Sequence, residues 1–233
     1  MRTHRNNDLA IAALALTALS WLAGCAPRPP SQPRATVPAA PAGGTPFRLD
    51  AAASSVQFYL HADGPLASVG HTHVISAHEF AGTIWLQSPP GQSSCEFELP
   101  VAGLVVDDPR ERAAAGAEFA EPLDDGARTG TRDHMLGERQ LDEQHYPTVF
   151  LHCRQLRVTA DSANVGLAVT VRGRESVLQV PARWRRNGDA LEIDGEFDFK
   201  QSDVGLTPYS LLFGALRVAD VIHARFKLRA RRE

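Results

Sequence analysis

Apolar and polar residues alternate along most of the chain after Phe47, and this pattern limits what the chain can fold into. A period of two is typical of a β-strand, because successive side chains of a strand point to opposite faces. The apolar faces that this alternation defines contain Val56, Phe58, Leu60, Phe80, Ile84, Leu86, Cys95, Phe97, Leu99, Val149, Leu151, Cys153, Val165, Leu167, Val169, Val171, Leu191, Ile193, Phe197, Phe199, Ile222, Ala224, Phe226 and Leu228. The chain therefore has eight or more strands.

The connections between these strands are mostly short, which favours antiparallel neighbours. The segment 185–189 places an Asn-Gly turn between two alternating stretches, and this is a strong hairpin signal. Antiparallel strands in such numbers close into a barrel or stack as a sandwich. The sequence predicts an all-β domain of one of these two kinds.

One long insertion, residues 107–146, interrupts the alternation. It is rich in Ala, Glu, Arg and Asp, and we expect a loop followed by a short helix from about Thr131 to Gln144. An insertion of this length is more typical of a lid or a plug than of a tight turn.

The first 24 residues have the organisation of a cleavable secretory signal. Arg2 and Arg5 precede an apolar stretch from Leu9 to Leu19, which is shorter than the roughly 20 residues that a membrane-spanning helix needs. The next residues, Leu22-Ala23-Gly24-Cys25, resemble the lipobox of bacterial lipoproteins. The resemblance implies that Cys25 is acylated and anchors the chain to a membrane. An ordinary secretory signal is the alternative.

Residues 25–46 form a proline-rich segment, and residues 47–233 form the folded domain. Residues 26–46 contain seven prolines among small and polar residues, so this stretch cannot bury apolar surface and is expected to be an extended linker. We expect a lipoprotein of the cell envelope that faces the periplasm. Ala26, which follows the acylated cysteine, favours the outer membrane by analogy with enterobacterial sorting.

Charge and cysteine content narrow the class of protein further. The chain has 24 basic and 27 acidic residues, and removal of residues 1–24 leaves a formal net charge of −4. No basic patch dominates, so nucleic acid is not an expected partner.

Cys95 and Cys153 lie in strands on either side of the insertion. They either form a disulfide, which a periplasmic location permits, or remain buried thiols.

The residues from about Phe47 to Arg231 resemble the YceI-like family of periplasmic, lipocalin-like proteins. The stretches that carry the resemblance are 47–50 with 55–58 and His61; 80–84; 132–136 with Leu141, Asp142 and 146–150; and 203–205 with Phe213, Gly214 and 218–221. The resemblance implies an antiparallel up-and-down β-barrel with a short helix in its long insertion. It also implies an apolar tunnel for a polyisoprenoid or a similar long-chain amphiphile.

The tunnel interpretation identifies the residues that would contact such a ligand. An eight-stranded barrel either fills its interior with side chains or holds one ligand, and the residues alone leave both possibilities open. The expected lining residues are Val56, Phe58, Leu60, Phe97, Leu99, Val149, Leu151, Leu167, Val169, Ile193, Phe197 and Phe226. A lining of this composition suits a long-chain isoprenoid or fatty-acyl lipid.

Two clusters of polar residues suggest other functions. His71 and His73, two residues apart with His78 nearby, could hold zinc or copper, so a periplasmic metal- or haem-associated protein is the alternative function. The sequence Arg132-Asp133-His134 suggests catalysis, but a charged helix start explains it better. No catalytic motif is recognisable, so we expect a binding protein without a cofactor. A hydrolase that acts on such a lipid and a homodimer both remain open.

Overall fold

The computed structural model describes residues 44–233. The predicted signal peptide, Cys25 and nearly all of the predicted linker therefore lie outside the described residues. The first strand begins at Thr45, two residues before the predicted start of the domain. In this part of the chain, no helix has the length and apolar character needed to cross a bilayer.

The described residues form strands with few helices between them. The strands are β1 (Thr45–Leu49), β2 (Ser55–Leu60), β3 (Ala62–Asp63), β4 (His73–Ala77), β5 (Ala81–Leu86), β6 (Ser94–Pro100), β7 (Leu104–Val106), β8 (Thr148–Val158), β9 (Ser162–Val171), β10 (Arg174–Asn187), β11 (Ala190–Lys200), β12 (Ser210–Leu211), β13 (Leu216–Val218) and β14 (Val221–Arg232). The α-helices are α1 (Pro109–Ala115) and α2 (Asp125–Leu136).

Eight strand positions close into a barrel. The order is β1-β5-β6-β8-β9-β10-β11-β14, and β14 pairs back onto β1. All of these pairs are antiparallel. The predicted antiparallel lipocalin-like barrel is confirmed.

Three of the barrel positions are each built from two short strands. β14 pairs with β1 through Leu49 and Ala230, and then with β2 through Ser55 and Lys227, so β1 and β2 follow one another along the same neighbour. β4 pairs with β2 as β5 pairs with β1, so β4 and β5 share the next position. β7 pairs with β4 as β6 pairs with β5, so β6 and β7 share the third. A separate small sheet, β12-β13-β3, lies beside the barrel.

Two glycines allow neighbouring strands to approach closely. A Cβ at Gly82 would lie 2.3 Å from the carbonyl oxygen of Glu96, and a Cβ at Gly195 would lie 2.4 Å from that of Pro181. No side chain fits at either position. Gly82 and Gly195 therefore lie where only glycine is accommodated.

The β10–β11 hairpin turns one residue later than the sequence predicts. Asn187 still pairs with Ala190, so Gly188 and Asp189 are the two central residues. Gly188 has a φ of +60°, which glycine adopts without steric cost. Glycine in the first central position is a preferred arrangement for a two-residue hairpin.

The predicted position of the helix in the insertion is wrong. The structure has two helices there, and residues 137–144 are turns rather than the end of a helix. Asp124 caps α2 by accepting a hydrogen bond from the N–H of Ala127, and α2 ends at Leu136 before Gly137. Asp108 caps α1, which has Pro109 in its first turn.

The two ends of the barrel differ in how the strands are connected. The hairpin end contains the start of β1, the end of β14 and the connections 87–93, 159–161 and 188–189. The insert end contains the connections 61–72, 107–147, 172–173 and 201–220. The three long connections, 61–72, 107–147 and 201–220, therefore all lie at the insert end.

Candidate functional site

A cavity of about 220 Å³ lies inside the barrel, toward the hairpin end. One buried water molecule needs only roughly 10–15 Å³, so this space is far larger than an ordinary packing defect. Nine of the twelve predicted lining residues contact it: Val56, Phe58, Phe97, Leu99, Leu151, Leu167, Ile193, Phe197 and Phe226.

Three predicted lining residues do not contact the cavity, and the prediction is wrong for these positions. Val149 and Val169 are buried in an apolar cluster with Val101, Val171 and Val204. Leu60 packs against a different cluster that includes Ile75. Their strands continue toward the insert end, where other side chains fill the barrel.

Several lining residues were missed by the sequence interpretation. They include Phe80, Ile84, Leu86, Leu156, Val158, Val165, Val180, Ala182, Trp184, Leu191, Ala224 and Leu228. Trp184 lies in an arginine-rich stretch that resembles a solvated strand end. Its position two residues after Ala182 and four after Val180 was the available signal, because all three share the inner face of β10.

Most of the lining side chains are only half-buried although they point into the barrel. All nine of the predicted residues that contact the cavity belong to this intermediate class, as do Leu156, Val158 and Trp184. In a filled core the same positions would be fully buried by their neighbours. The exposed apolar surface therefore faces the cavity.

Phenylalanines form one wall of the cavity and extend beyond it. The ring centroids of Phe197 and Phe226 are 6.4 Å apart, and those of Phe197 and Phe199 are 5.9 Å apart. Phe58 contacts Phe199 edge-on at 6.3 Å. Such contacts hold the rings in place, so this wall is a rigid apolar surface.

Cys95 and Cys153 face each other across β6 and β8 and are joined as a disulfide in the structure. Their Cα atoms are 5.0 Å apart, which is within the usual range for a disulfide. Both residues line the cavity. The bridge thus connects two strands of the cavity wall, on either side of the long insertion.

No ionisable side chain lines the cavity within residues 44–233. Ser93 and Ser94 supply the hydroxyl groups of the lining, and the Ser93 hydroxyl accepts a hydrogen bond from the N–H of Gln87 at 3.0 Å. An apolar interior of this kind favours a hydrocarbon over a polar ligand.

Charged groups lie on the outer face of the same wall. Glu96 pairs with His152 across β6 and β8, and these residues alternate with the lining residues Phe97 and Leu151. Burial raises the pKa of Glu96, and the nearby charge of Glu98 raises it further. Burial lowers the pKa of His152. Both shifts disfavour the charged form, as expected where a packed wall displaces water.

The three histidines of the predicted metal alternative do not converge. His73 Nδ1 lies 2.7 Å from Asp107 Oδ2, and His78 Nε2 lies 2.9 Å from Glu111 Oε1. His71 is 4.0 Å from Glu121. No group of three His, Cys, Asp or Glu side chains in the described part of the chain could hold a metal ion. The geometry gives the metal alternative no support.

These histidine contacts belong to a structural cluster that fastens the insertion to the outside of the barrel. Asp107 is fully buried and accepts hydrogen bonds from Arg112 Nη1 at 2.7 Å and from the N–H of Val74 at 2.8 Å. Burial alone would raise the pKa of Asp107, but His73, Val74 and Arg112 together hold the pKa below its usual value. The carboxylate therefore stays charged as a structural anchor.

Arg132 and His134, from the segment that suggested catalysis, make contacts that fasten α2 to its neighbours. Arg132 donates hydrogen bonds to the carbonyl oxygens of Leu104 and Ala102, so it fastens α2 to the barrel. His134 Nε2 lies 3.1 Å from the hydroxyl of Tyr209. The predicted charged helix start is wrong, because residues 132–134 lie toward the end of α2, which begins at Asp125 and ends at Leu136.

Together, the closed eight-stranded antiparallel barrel and its apolar interior define a lipocalin-like architecture. A scan against protein-family models found no match, and a search of the curated proteins found none either. Solved structures, in contrast, share the fold over most of the chain.

Three solved structures illustrate this similarity of fold. Burkholderia cenocepacia BcnA is 17% identical with a TM-score of 0.57, and the match covers 78% of this chain and 99% of that one. A polyisoprenoid binding domain from Saccharophagus degradans, implicated in plant cell wall breakdown, is 11% identical with a TM-score of 0.56, covering 80% and 98%. A mutant CJ YceI protein is 10% identical with a TM-score of 0.50, covering 68% and 84%. The chain has the YceI-like fold that the sequence resemblance predicts.

Proposed function

We propose that this chain is a binding protein whose barrel encloses a long-chain amphiphile, with a polyisoprenoid as the best-fitting class. The observation that carries the proposal is the apolar cavity, most of whose lining residues are half-buried. Empty apolar space of this size forfeits dispersion contacts, because the side chains around it have no partner atoms on one side. A hydrocarbon chain restores those contacts and removes the lining from water.

The shape of the available space favours one chain over a compact ligand. The lining extends from Phe80 and Leu99 in the middle of the barrel to Val158 and Trp184 at the hairpin end. A branched isoprenoid chain offers methyl groups at regular intervals, and aromatic walls such as the Phe197–Phe226 pair pack well against them. The polyisoprenoid-binding domain with the same fold supports this ligand class.

The cavity favours binding over catalysis. General acid–base chemistry requires a titratable side chain within hydrogen-bond reach of the substrate, and no ionisable residue contacts the cavity in the described structure. The neighbour from Saccharophagus degradans, which has the same fold, is a polyisoprenoid binding domain. A protein that shields a lipid from water needs only the apolar lining.

Native mass spectrometry of the protein purified from its own cell envelope tests the proposal. We expect an adduct with the mass of one long-chain lipid, released when the protein is denatured and identified as an isoprenoid after extraction. The matched control is Leu167→Trp, which narrows the cavity and should reduce the adduct. Purified wild-type protein with no lipid adduct, or with a metal adduct instead, would contradict the proposal.

We further propose that the mature chain is a lipoprotein, acylated at Cys25 and held at the periplasmic face of the outer membrane. The support is the sequence Leu22-Ala23-Gly24-Cys25 after an apolar segment, followed by the proline-rich linker. Metabolic labelling with a fatty-acid analogue should label the wild type but not Cys25→Ser. Label retained by the variant would show that acylation occurs elsewhere.

A further inference from the structure

An arginine follows the cavity lining directly on the inner face of β10. Val180, Ala182 and Trp184 line the cavity, and Arg186 is the next residue on the same face. Alternate residues of a strand are about 6.8 Å apart, so the Arg186 side chain starts one step beyond the end of the lining. This position is at the hairpin end of the barrel.

The guanidinium of Arg186 is largely unused by the protein. Its Nε donates to the carbonyl oxygen of Gly188 at 3.0 Å, and its Cζ lies 5.4 Å from the ring centre of Phe47. No carboxylate pairs with it among residues 44–233, and the residue is exposed. Four of its five N–H donors therefore remain for a partner. The Phe47 ring holds the group in position while leaving its edge accessible.

Neighbouring arginines differ from Arg186 in their partners. Arg185, on the outer face of the same strand, donates to Glu192 Oε2 at 2.8 Å. Arg232, on the inner face of β14, lies 3.7 Å from Asp189. Of these three arginines, Arg186 is therefore the one that combines the inner face with the lack of an acidic partner.

At the opposite end of the barrel, apolar side chains fill the interior. Val101, Val171 and Val204 are buried there, and Leu136 and Leu141 from the insertion pack against them. An amphiphile in the cavity must therefore place its chain end toward this filled region. Its polar head then lies at the hairpin end, beside Trp184 and Arg186.

We propose that Arg186 binds the anionic head group of the amphiphile, a phosphate or a carboxylate, and that the ligand enters the hairpin end tail first. This inference rests on the proposed function and adds the charge and the orientation of the ligand. Guanidinium groups bind both anions through paired hydrogen bonds. Arg232 adds positive charge at the same rim, partly balanced by Asp189.

The test compares three probes of equal chain length: a C20 prenyl phosphate, a C20 fatty acid and the neutral C20 prenol. The full chain is purified and delipidated, and affinities are measured by titration at low and at high salt. We expect the phosphate and the carboxylate probes to bind the wild type about tenfold more tightly than the prenol, because charge-assisted hydrogen bonds are the stronger kind. High salt should reduce this difference.

The variant Arg186→Gln should remove most of the anion preference and leave prenol affinity unchanged within about twofold. Arg185→Gln is the matched control, since it changes the adjacent residue on the outer face, and it should keep the preference. A larger effect on one anionic probe than on the other identifies the head group as phosphate or carboxylate.

The outcomes separate this inference from the proposed function. If all three probes bind the wild type equally well, or if Arg186→Gln keeps the anion preference, the head-group assignment is wrong although the cavity binds lipid. If none of the probes binds the delipidated wild type, the proposed function itself fails.

Discussion

The two halves of the barrel interior are built from the same strands but are packed differently. On β9, Val165 and Leu167 are half-buried and line the cavity, whereas Val169 and Val171 on the same face are buried. The residue types are similar and the spacing is regular. The strand alone thus decides which face a residue occupies, but not whether the space in front of it is filled.

The connections at each end explain the difference. At the insert end, side chains from outside the strands, such as Leu136, Leu141 and Val204, pack onto the inner valines. At the hairpin end, the turns at 159–161 and 188–189 are too short to send side chains inward, and the connection 87–93 places only Pro90 and Ser93 against the cavity. Among residues 44–233, few side chains from the connections therefore enter this half of the barrel, and the cavity remains.

Loss of the disulfide is the largest expected effect on the hollow half. The bridge closes a loop with a sequence separation of 58 residues, so the chain-entropy model predicts a stabilisation of about 4 kcal/mol. We expect Cys95→Ala with Cys153→Ala to lower the free energy of unfolding by about that amount in chemical denaturation. Thiol titration of the denatured, unreduced wild type should find neither thiol. Two free thiols would exclude the bridge.

Overpacking should distinguish the two halves directly. Val169→Trp inserts a large ring into the filled half and should cost about 1–3 kcal/mol or more in stability. Leu167→Trp, two residues earlier on the same face, directs its ring into the cavity, and we expect a loss below about 1 kcal/mol. Thermal and chemical denaturation of both variants measure this. Equal losses would mean that the interior is uniformly packed.

Acid should weaken the attachment of the insertion before it affects the hollow half. The pKa of Asp107 is lowered in the folded protein, so its stabilising contribution is complete above the unfolded value near 3.8. The contribution is lost as the pH falls through the lower folded pKa. The wild type should therefore lose stability more steeply below about pH 4 than Asp107→Asn does. Parallel acid-denaturation profiles of the two proteins would show that Asp107 has no such role.

The alternation of residues was sufficient to predict an all-β domain and most of its inner face, and the resemblance to the YceI-like family selected the barrel over the sandwich. Phe58, Phe97 and Ile193 could be assigned to the interior because a period of two has only two possible phases. The boundary between the hollow and the filled half could not be predicted, since it depends on residues such as Val204 that arrive from distant connections.

The helices of the insertion show another limit of the sequence interpretation. Asp108 and Asp124 are capping residues that mark the true helix starts, and the prediction overlooked both.

The histidine pattern at 71 and 73 was compatible with a metal site, but the acidic partners of these histidines come from the insertion, whose path over the barrel depends on tertiary contacts. The contacts of His71 and His73 with acidic residues of the insertion decided the role of these histidines.

The central claim is that the hollow half is a binding site and not a packing defect. The most direct measurement is a titration of the delipidated full chain with a fluorescent polyene fatty acid, whose emission rises in an apolar environment. We predict saturable binding of one polyene per chain, strongly reduced in Leu167→Trp while that variant keeps its thermal stability. A wild type that gives no saturable signal, or a Leu167→Trp variant that binds as well as the wild type, would contradict the account.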